Sequence, residues 1–167
     1  AKELTGRVGV GYENTLVGGP GASLSGVSAR FYPTQQLFVG GVLGFTSVSP
    51  DEGDTQTSFG LGVNTGYVFI DEPNLNFYGG AGLSFGSVSA VDPGSGDTEG
   101  KTALGLNVGA GMEFFFVGLP NLGFCASYGL EYASVDDLGS SISIGGGDFG
   151  QFGIRYYFGG PKGPDSP

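Results

Sequence analysis

The sequence predicts an all-β chain closed as an eight-stranded antiparallel up-and-down transmembrane β-barrel, and three observations predict it. The first is alternation. From Phe59 to Phe69 the odd positions are bulky and mostly apolar, while the even ones are Gly, Asn and one Val. Leu104 to Phe114 and Leu122 to Tyr132 repeat the pattern, and a period of two puts successive side chains on opposite faces of a strand. The second is charge placement. Arg7, Glu13, Arg30, Lys101, Glu113, Glu131 and Arg155 all fall in the small or polar phase of their strands, as a lipid-facing wall demands when an Arg or Lys at mid-membrane costs about 2–4 kcal/mol. The third is the spacing of the connections, which alternate between short and long.

In chain order, strands are placed near Leu4–Glu13, Leu24–Tyr32, Leu37–Val48, Thr57–Ile70, Leu75–Val91, Lys101–Phe116, Leu122–Ser134 and Asp148–Phe158. Val8, Ala29, Leu83, Val108 and Ala126 form an aliphatic waist in the apolar phase. Phe31, Tyr67, Phe69, Phe114, Phe116, Tyr156 and Phe158 lie toward the short turns, and Tyr12, Phe45, Phe59, Phe85 and Tyr132 toward the loops. Two aromatic rings around such a waist are the girdles of a membrane-spanning barrel. The turns are 33–36, 71–74 and 117–121; the Gly-, Ser- and Asp-rich loops are 14–23, 49–56, 92–100 and 135–147. Asp148 is off phase, but it stands at the loop end of its strand. The strands exceed the usual ~5–6 residues and suit a tilted crossing of ~9–11. A soluble sandwich also alternates. It does not account for such long strands, nor for a second face of Gly, Ser, Asn and Thr that is too poor in charge for a soluble exterior.

Composition narrows the function. Charged residues make up 13% of the chain, about half the ~25% of soluble domains. No run approaches the ~20 apolar residues of a membrane helix. The length suits one domain, a barrel over 1–158 followed by a Gly/Pro-rich tail or linker over 159–167. The opening at Ala1, close to a strand, reads as a mature chain from which an export signal was removed. The net charge of −10 argues against nucleic acid as a partner. Cys125 is alone, so no intrachain disulfide forms, and its phase makes it a small buried lumen residue. There is no His, which removes Ser-His-Asp triads and the usual His-containing metal sites. Gly145-Gly146-Gly147 lacks the following helix and Lys of a phosphate loop and reads as loop or bulge. Asp51-Glu52-Gly53-Asp54 offers oxygen ligands without the ordered twelve-residue spacing of a dedicated Ca²⁺ site, so it reads as solvated loop charge. No cofactor, metal or catalytic residue is assigned.

The last strand reads Gln151-Phe152-Gly153-Ile154-Arg155-Tyr156-Tyr157-Phe158. Its Gln151, Gly153, Tyr156 and Phe158 resemble the assembly signal of outer-membrane proteins. The chain up to Phe158 resembles the small eight-stranded barrels, the outer-membrane protein A-like transmembrane domain and its relatives. That resemblance implies the outer membrane of a Gram-negative bacterium, with both termini periplasmic. It implies contact with outer-membrane lipids and lipopolysaccharide, and recognition of the last strand by the barrel assembly machinery. The lipid-modifying barrels of similar size depend on His, so the implied role is not enzymatic. It is structural, anchoring or surface-interacting; the alternatives are a narrow channel for small solutes or a barrel subunit of a larger envelope complex with an unidentified partner. Many such barrels end at the Phe, and the tail here leaves room for a downstream periplasmic domain.

The candidate site is the lumen. Phe38, Tyr78, Phe115 and Tyr157 lie in the inward phase near the short turns, together with Arg7, Arg30, Glu113 and Arg155. Glycines and Ser127 line the loop-side half, with acidic Glu13 and Glu131. Charges away from bulk water must be paired or hydrated. Glu113 is therefore expected to accept from at least one arginine, with Tyr hydroxyls closing the network and closure placing Arg155 beside Arg7. The expected shape is a cup, plugged at the short-turn end and open, wet and acidic at the other.

Overall fold

The computed structural model describes residues 3–15, 26–48, 56–91, 98–136, 139–144 and 151–159. Its strands are β1 (Val8–Thr15), β2 (Gly26–Phe31), β3 (Leu37–Val48), β4 (Gln56–Glu72), β5 (Leu75–Val91), β6 (Thr98–Phe115), β7 (Leu122–Val135), β8 (Gly139–Ile144) and β9 (Gln151–Phe158). Each of β1 to β6 pairs antiparallel with the next, β6 pairs with β7, β7 with β9, and β9 with β1. The ring is a closed barrel of eight staves, as the alternation predicts, and closure removes the unpaired edges that a membrane does not tolerate.

The eighth stave is in two pieces. The lower half of β7, Leu122–Ala126, pairs with β9; its upper half, Leu130–Val135, pairs with β8. The β8 pairing ends at Leu130 with Ile144, and the β9 pairing ends at Ala126 with Phe152. The segment 135–147, read from sequence as a loop, thus contains a strand at Gly139–Ile144 that continues the β7 hairpin. The last strand is described over Gln151–Phe158; the expected start at Asp148 lies outside the described residues, as do Asp51–Asp54 and Gly145–Gly147.

The first strand also differs. Leu4–Arg7 is a turn and not the start of β1: the Arg7 N–H donates to the Leu4 carbonyl at 2.9 Å, and Gly6 adopts a φ of +72° that favours glycine. The Gly6 N–H donates to the Tyr32 carbonyl at 2.8 Å, and the Leu4 N–H to Gln35 Oε1 at 2.8 Å. The turn folds Leu4 into the short-turn mouth, where it is wholly buried.

Outward residues give the wall its apolar surface: Val10, Val39, Leu61, Leu83, Val108 and Ile154 are exposed, with Tyr12, Phe45 and Phe85 toward the loops and Tyr67, Phe114 and Phe158 toward the short turns. A bulge at Phe69, where Val68 faces Tyr78 and Ile70 faces Phe77, puts both Phe69 and Ile70 on that wall. Inward positions hold the charges. Arg7, Glu13, Arg30, Glu113, Glu131 and Arg155 are all buried.

Candidate functional site in the barrel lumen

Glu113, on β6, is fully buried and is the centre of the lumen. Arg155 Nη1, from β9, donates to its Oε1 at 3.2 Å, and the Tyr157 hydroxyl donates to the same oxygen at 2.7 Å. The Tyr32 hydroxyl donates to Oε2 at 3.0 Å, and Arg30 Nη1, from β2, forms an ion pair with it at 3.6 Å. A side chain at position 123 would meet Glu113 Oε1 at 2.7 Å; glycine there lets the carboxylate lie against β7.

The second acid of the network is Glu13. Arg155 Nη2 donates to Glu13 Oε1 and, at 3.4 Å, to Ser28 Oγ. Arg155 thus bridges Glu113 and Glu13, and Arg30 rests its guanidinium 3.9 Å from the centroid of Phe38 and 4.9 Å from that of Tyr78. Two arginines balance two glutamates. Burying charge is tolerated when it is paired, and the rings add cation–π attraction to Arg30, whose Nε and Nη1 have no hydrogen-bond partner among the described residues.

Directly toward the short turns lies a packed layer of Leu4, Tyr32, Phe38, Val68, Tyr78, Phe115 and Tyr157. Ring centroids are 5.1 Å apart for Phe38 and Tyr78, 5.7 Å for Tyr32 and Phe38, and 5.8 Å for Phe115 and Tyr157. These side chains reach inward from the turn before β1, the end of β2, β3, β4, β5, β6 and β9, so the layer spans the barrel.

Three placements differ from the sequence expectation, those of Arg155, Glu13 and the open half. Arg7 keeps its expected place near the short turns, outside the Glu113 network. It precedes β1 at the short-turn rim, where it donates to Asn121 Oδ1 and to the carbonyl of Tyr157 at 3.1 Å. Arg155 accordingly pairs across from Gly11 and not beside Arg7. Glu13, expected on the open side, sits within the network because the long side chain of Arg155 reaches up to it. The open half itself is narrower than the expected cup: Ser84, Asn107 and Glu131 are each 5% exposed or less. A cavity of about 10 Å³ between Glu13, Arg30, Asn64, Tyr78, Ser127 and Gln151 has room for about one water. Glu131 lies across from Asn107, and its Oε1 has no hydrogen-bond partner among the described residues. Cys125 points inward and is buried.

Sequence reasoning missed Tyr32, Leu4, Ser28 and Asn121. Tyr32 shares the parity of Ser28 and Arg30, and that signal was enough to place it in the lumen. Of the signal residues in β9, Gln151 is buried, Gly153 lies beneath the Glu13 side chain, and Tyr156 and Phe158 stand on the outer wall with ring centroids 4.8 Å apart.

No protein-family model matches the chain, and no curated protein matches it by sequence. Solved structures do. The attachment invasion locus protein Ail of Yersinia pestis is 21% identical, with 93% of this chain and 100% of that one covered and a TM-score of 0.52. The N-terminal β-barrel domain of Pseudomonas aeruginosa OprF is 16% identical over 92% of this chain and 98% of that one, with a TM-score of 0.53. Neisserial surface protein A is 19% identical over 91% and 94%, with a TM-score of 0.50. At these identities the likeness is one of fold, and the fold is that of the small eight-stranded outer-membrane barrels.

Proposed function

We propose that this chain, which has the fold of the small outer-membrane barrels, is an integral protein of a Gram-negative outer membrane that anchors and presents its loops and does not conduct. Both ends of the barrel chain lie on the short-turn side, which faces the periplasm in this reading. The observation that carries it is the layer from Leu4 to Tyr157 stacked beneath the Glu113 network, a packed and charge-balanced septum across the lumen. An ion crossing it would have to displace rings in contact and break buried ion pairs, each step costly in a low-dielectric setting. Outer-membrane lipids and lipopolysaccharide are the surroundings that the exposed aliphatic and aromatic wall suits. Recordings from the refolded chain in planar bilayers are expected to show no stepwise current; regular conductance steps would replace the anchor with the narrow channel.

The loops are the contact surface in this reading. Ail has also been solved with the heparin analogue sucrose octasulfate. A chain of net charge −10 repels a free polyanion, so the partners that its loops reach beyond the membrane are neutral or cationic surfaces. Assembly rests on β9: its exposed Tyr156 and Phe158 are offered to the barrel assembly machinery. Replacing both with Ser is expected to lower the outer-membrane level while secretion to the periplasm continues. Unchanged membrane levels would remove the signal assignment.

A further inference from the structure

The three short turns differ in chemistry. The β2–β3 turn is Pro33-Thr34-Gln35-Gln36 and the β4–β5 turn carries Asp71 and Glu72. Both are laced by polar contacts: Thr34 Oγ1 accepts from the Leu37 N–H at 3.1 Å, Gln35 Nε2 donates to Asp71 Oδ2 at 3.1 Å, and the Tyr67 hydroxyl donates to Gln36 Oε1 at 3.3 Å. The β6–β7 turn reads Phe116-Val117-Gly118-Leu119-Pro120-Asn121. Val117 is 86% exposed and Leu119 53%.

We propose that this β6–β7 turn is immersed in the acyl-chain region of the adjacent lipid leaflet while the other two short turns stay in water, so that the barrel sits tilted in its membrane. The proposal rests on the membrane-spanning reading and extends it to one end of the molecule. Continuity is the first argument. Phe116 stacks edge-on against Phe114 at 5.1 Å and against Phe124 at 5.3 Å, so the apolar wall runs unbroken into Val117 and Leu119. Partial closure of the turn on itself is the second: the Leu119 N–H donates to the Phe116 carbonyl and the Leu122 N–H to the Leu119 carbonyl, both at 3.0 Å, which reduces the number of backbone groups turned to a lipid surface that supplies no hydrogen bonds. The third is where the turn's one polar side chain goes. Asn121 accepts from Arg7 at the lumen mouth and donates to the Tyr156 hydroxyl at 3.4 Å, so its amide does not need water. Immersing Val117 and Leu119 is favourable because it takes apolar area out of water. Immersing Asp71 and Glu72 would carry charge into hydrocarbon. The sum is a rotation that lowers one side of the rim and raises the other.

The test uses the full chain with Cys125→Ser as background and single Val117→Cys, Gln36→Cys or Val108→Cys substitutions, each labelled with an environment-sensitive fluorophore. The proteins are refolded into phosphatidylcholine vesicles containing lipids spin-labelled in mid-acyl chain. Immersion is expected to give quenching at position 117 comparable with that at the wall position 108, and weak quenching at position 36. Quenching at 117 no stronger than at 36, with 108 strongly quenched, overturns the immersion and leaves the membrane reading standing. Absence of quenching at 108 overturns both.

Discussion

The short-turn half of the lumen and the loop-side half are carried by the same strands, yet they close in different ways. In the first, Arg155, Arg30, Glu113 and Glu13 neutralise one another above a layer of interlocking rings. In the second, buried Gly60, Gly62, Gly86 and Gly105 leave the lumen to small polar groups such as Ser84 and Asn107. Both halves are shut to solvent where they are described, but the first is held by partners that depend on each other. The comparison teaches that low exposure in a small barrel does not measure how strongly a residue is needed; the number of groups left unsatisfied by its removal does.

Glu113→Gln tests the strongest side of that contrast. It leaves Arg30 without its carboxylate and Arg155 with only one, and the expected cost is about 3–5 kcal/mol, read as a lower midpoint in urea unfolding of the barrel in lipid vesicles. A loss no larger than that of a loop-side substitution would erase the distinction. Leu4→Ala comes next. It hollows the floor of the aromatic layer for about 2 kcal/mol, the low end for a buried leucine because the turn that carries it can relax. Wild-type stability in that variant would mean that the turn contributes nothing to closure.

A paired substitution sharpens the comparison further. A Cβ at position 66 would meet the Phe38 ring at 2.3 Å, and one at position 105 would meet Ser84 Oγ at 2.2 Å. The distances are alike, the neighbours are not. Phe38 is locked between Tyr32, Tyr78 and Arg30, whereas the Ser84 hydroxyl can turn to another rotamer. Gly66→Ala is expected to cost about 1–3 kcal/mol, as overpacking does, and Gly105→Ala less than about 1 kcal/mol on the same reasoning, compared by urea midpoints. Equal costs would mean that both halves are equally rigid. The smallest effect is expected from Glu131→Gln: it removes a buried carboxylate that no described group neutralises, so the midpoint should hold or rise, within about 0.5 kcal/mol of wild type. A marked loss would reveal a partner for Glu131 on the loop side.

The barrel was legible because its wall and lumen follow a two-residue period that no helix imitates, and that parity put Glu113, Arg30, Arg155, Tyr78 and Phe38 inside. What parity cannot supply is height. Counting residues from the turns puts Glu13 at the open end, but the long side chain of Arg155, whose backbone pairs with Gly11, reaches up to it. Parity also says nothing of where a strand stops. Leu4 fits the pattern of apolar spacing, but a glycine two residues later bends the chain under the barrel. Gly139–Ile144 has the Gly and Ser of a loop, and pairing with β7 overrides that composition. Phe69 and Ile70 share the wall because a bulge breaks the count between them.

The divided eighth stave carries a rule about change. Ala126 and Leu130 on β7 are four residues apart, and their partners Phe152 and Ile144 are eight apart; both separations are even, which preserves the side on which each residue falls. Ile142 and Ile144 above the break therefore face outward like Phe152 and Ile154 below it. A shift of β8 against β7 by two residues would keep these isoleucines on the outer wall, while a shift by one would turn them to the lumen face.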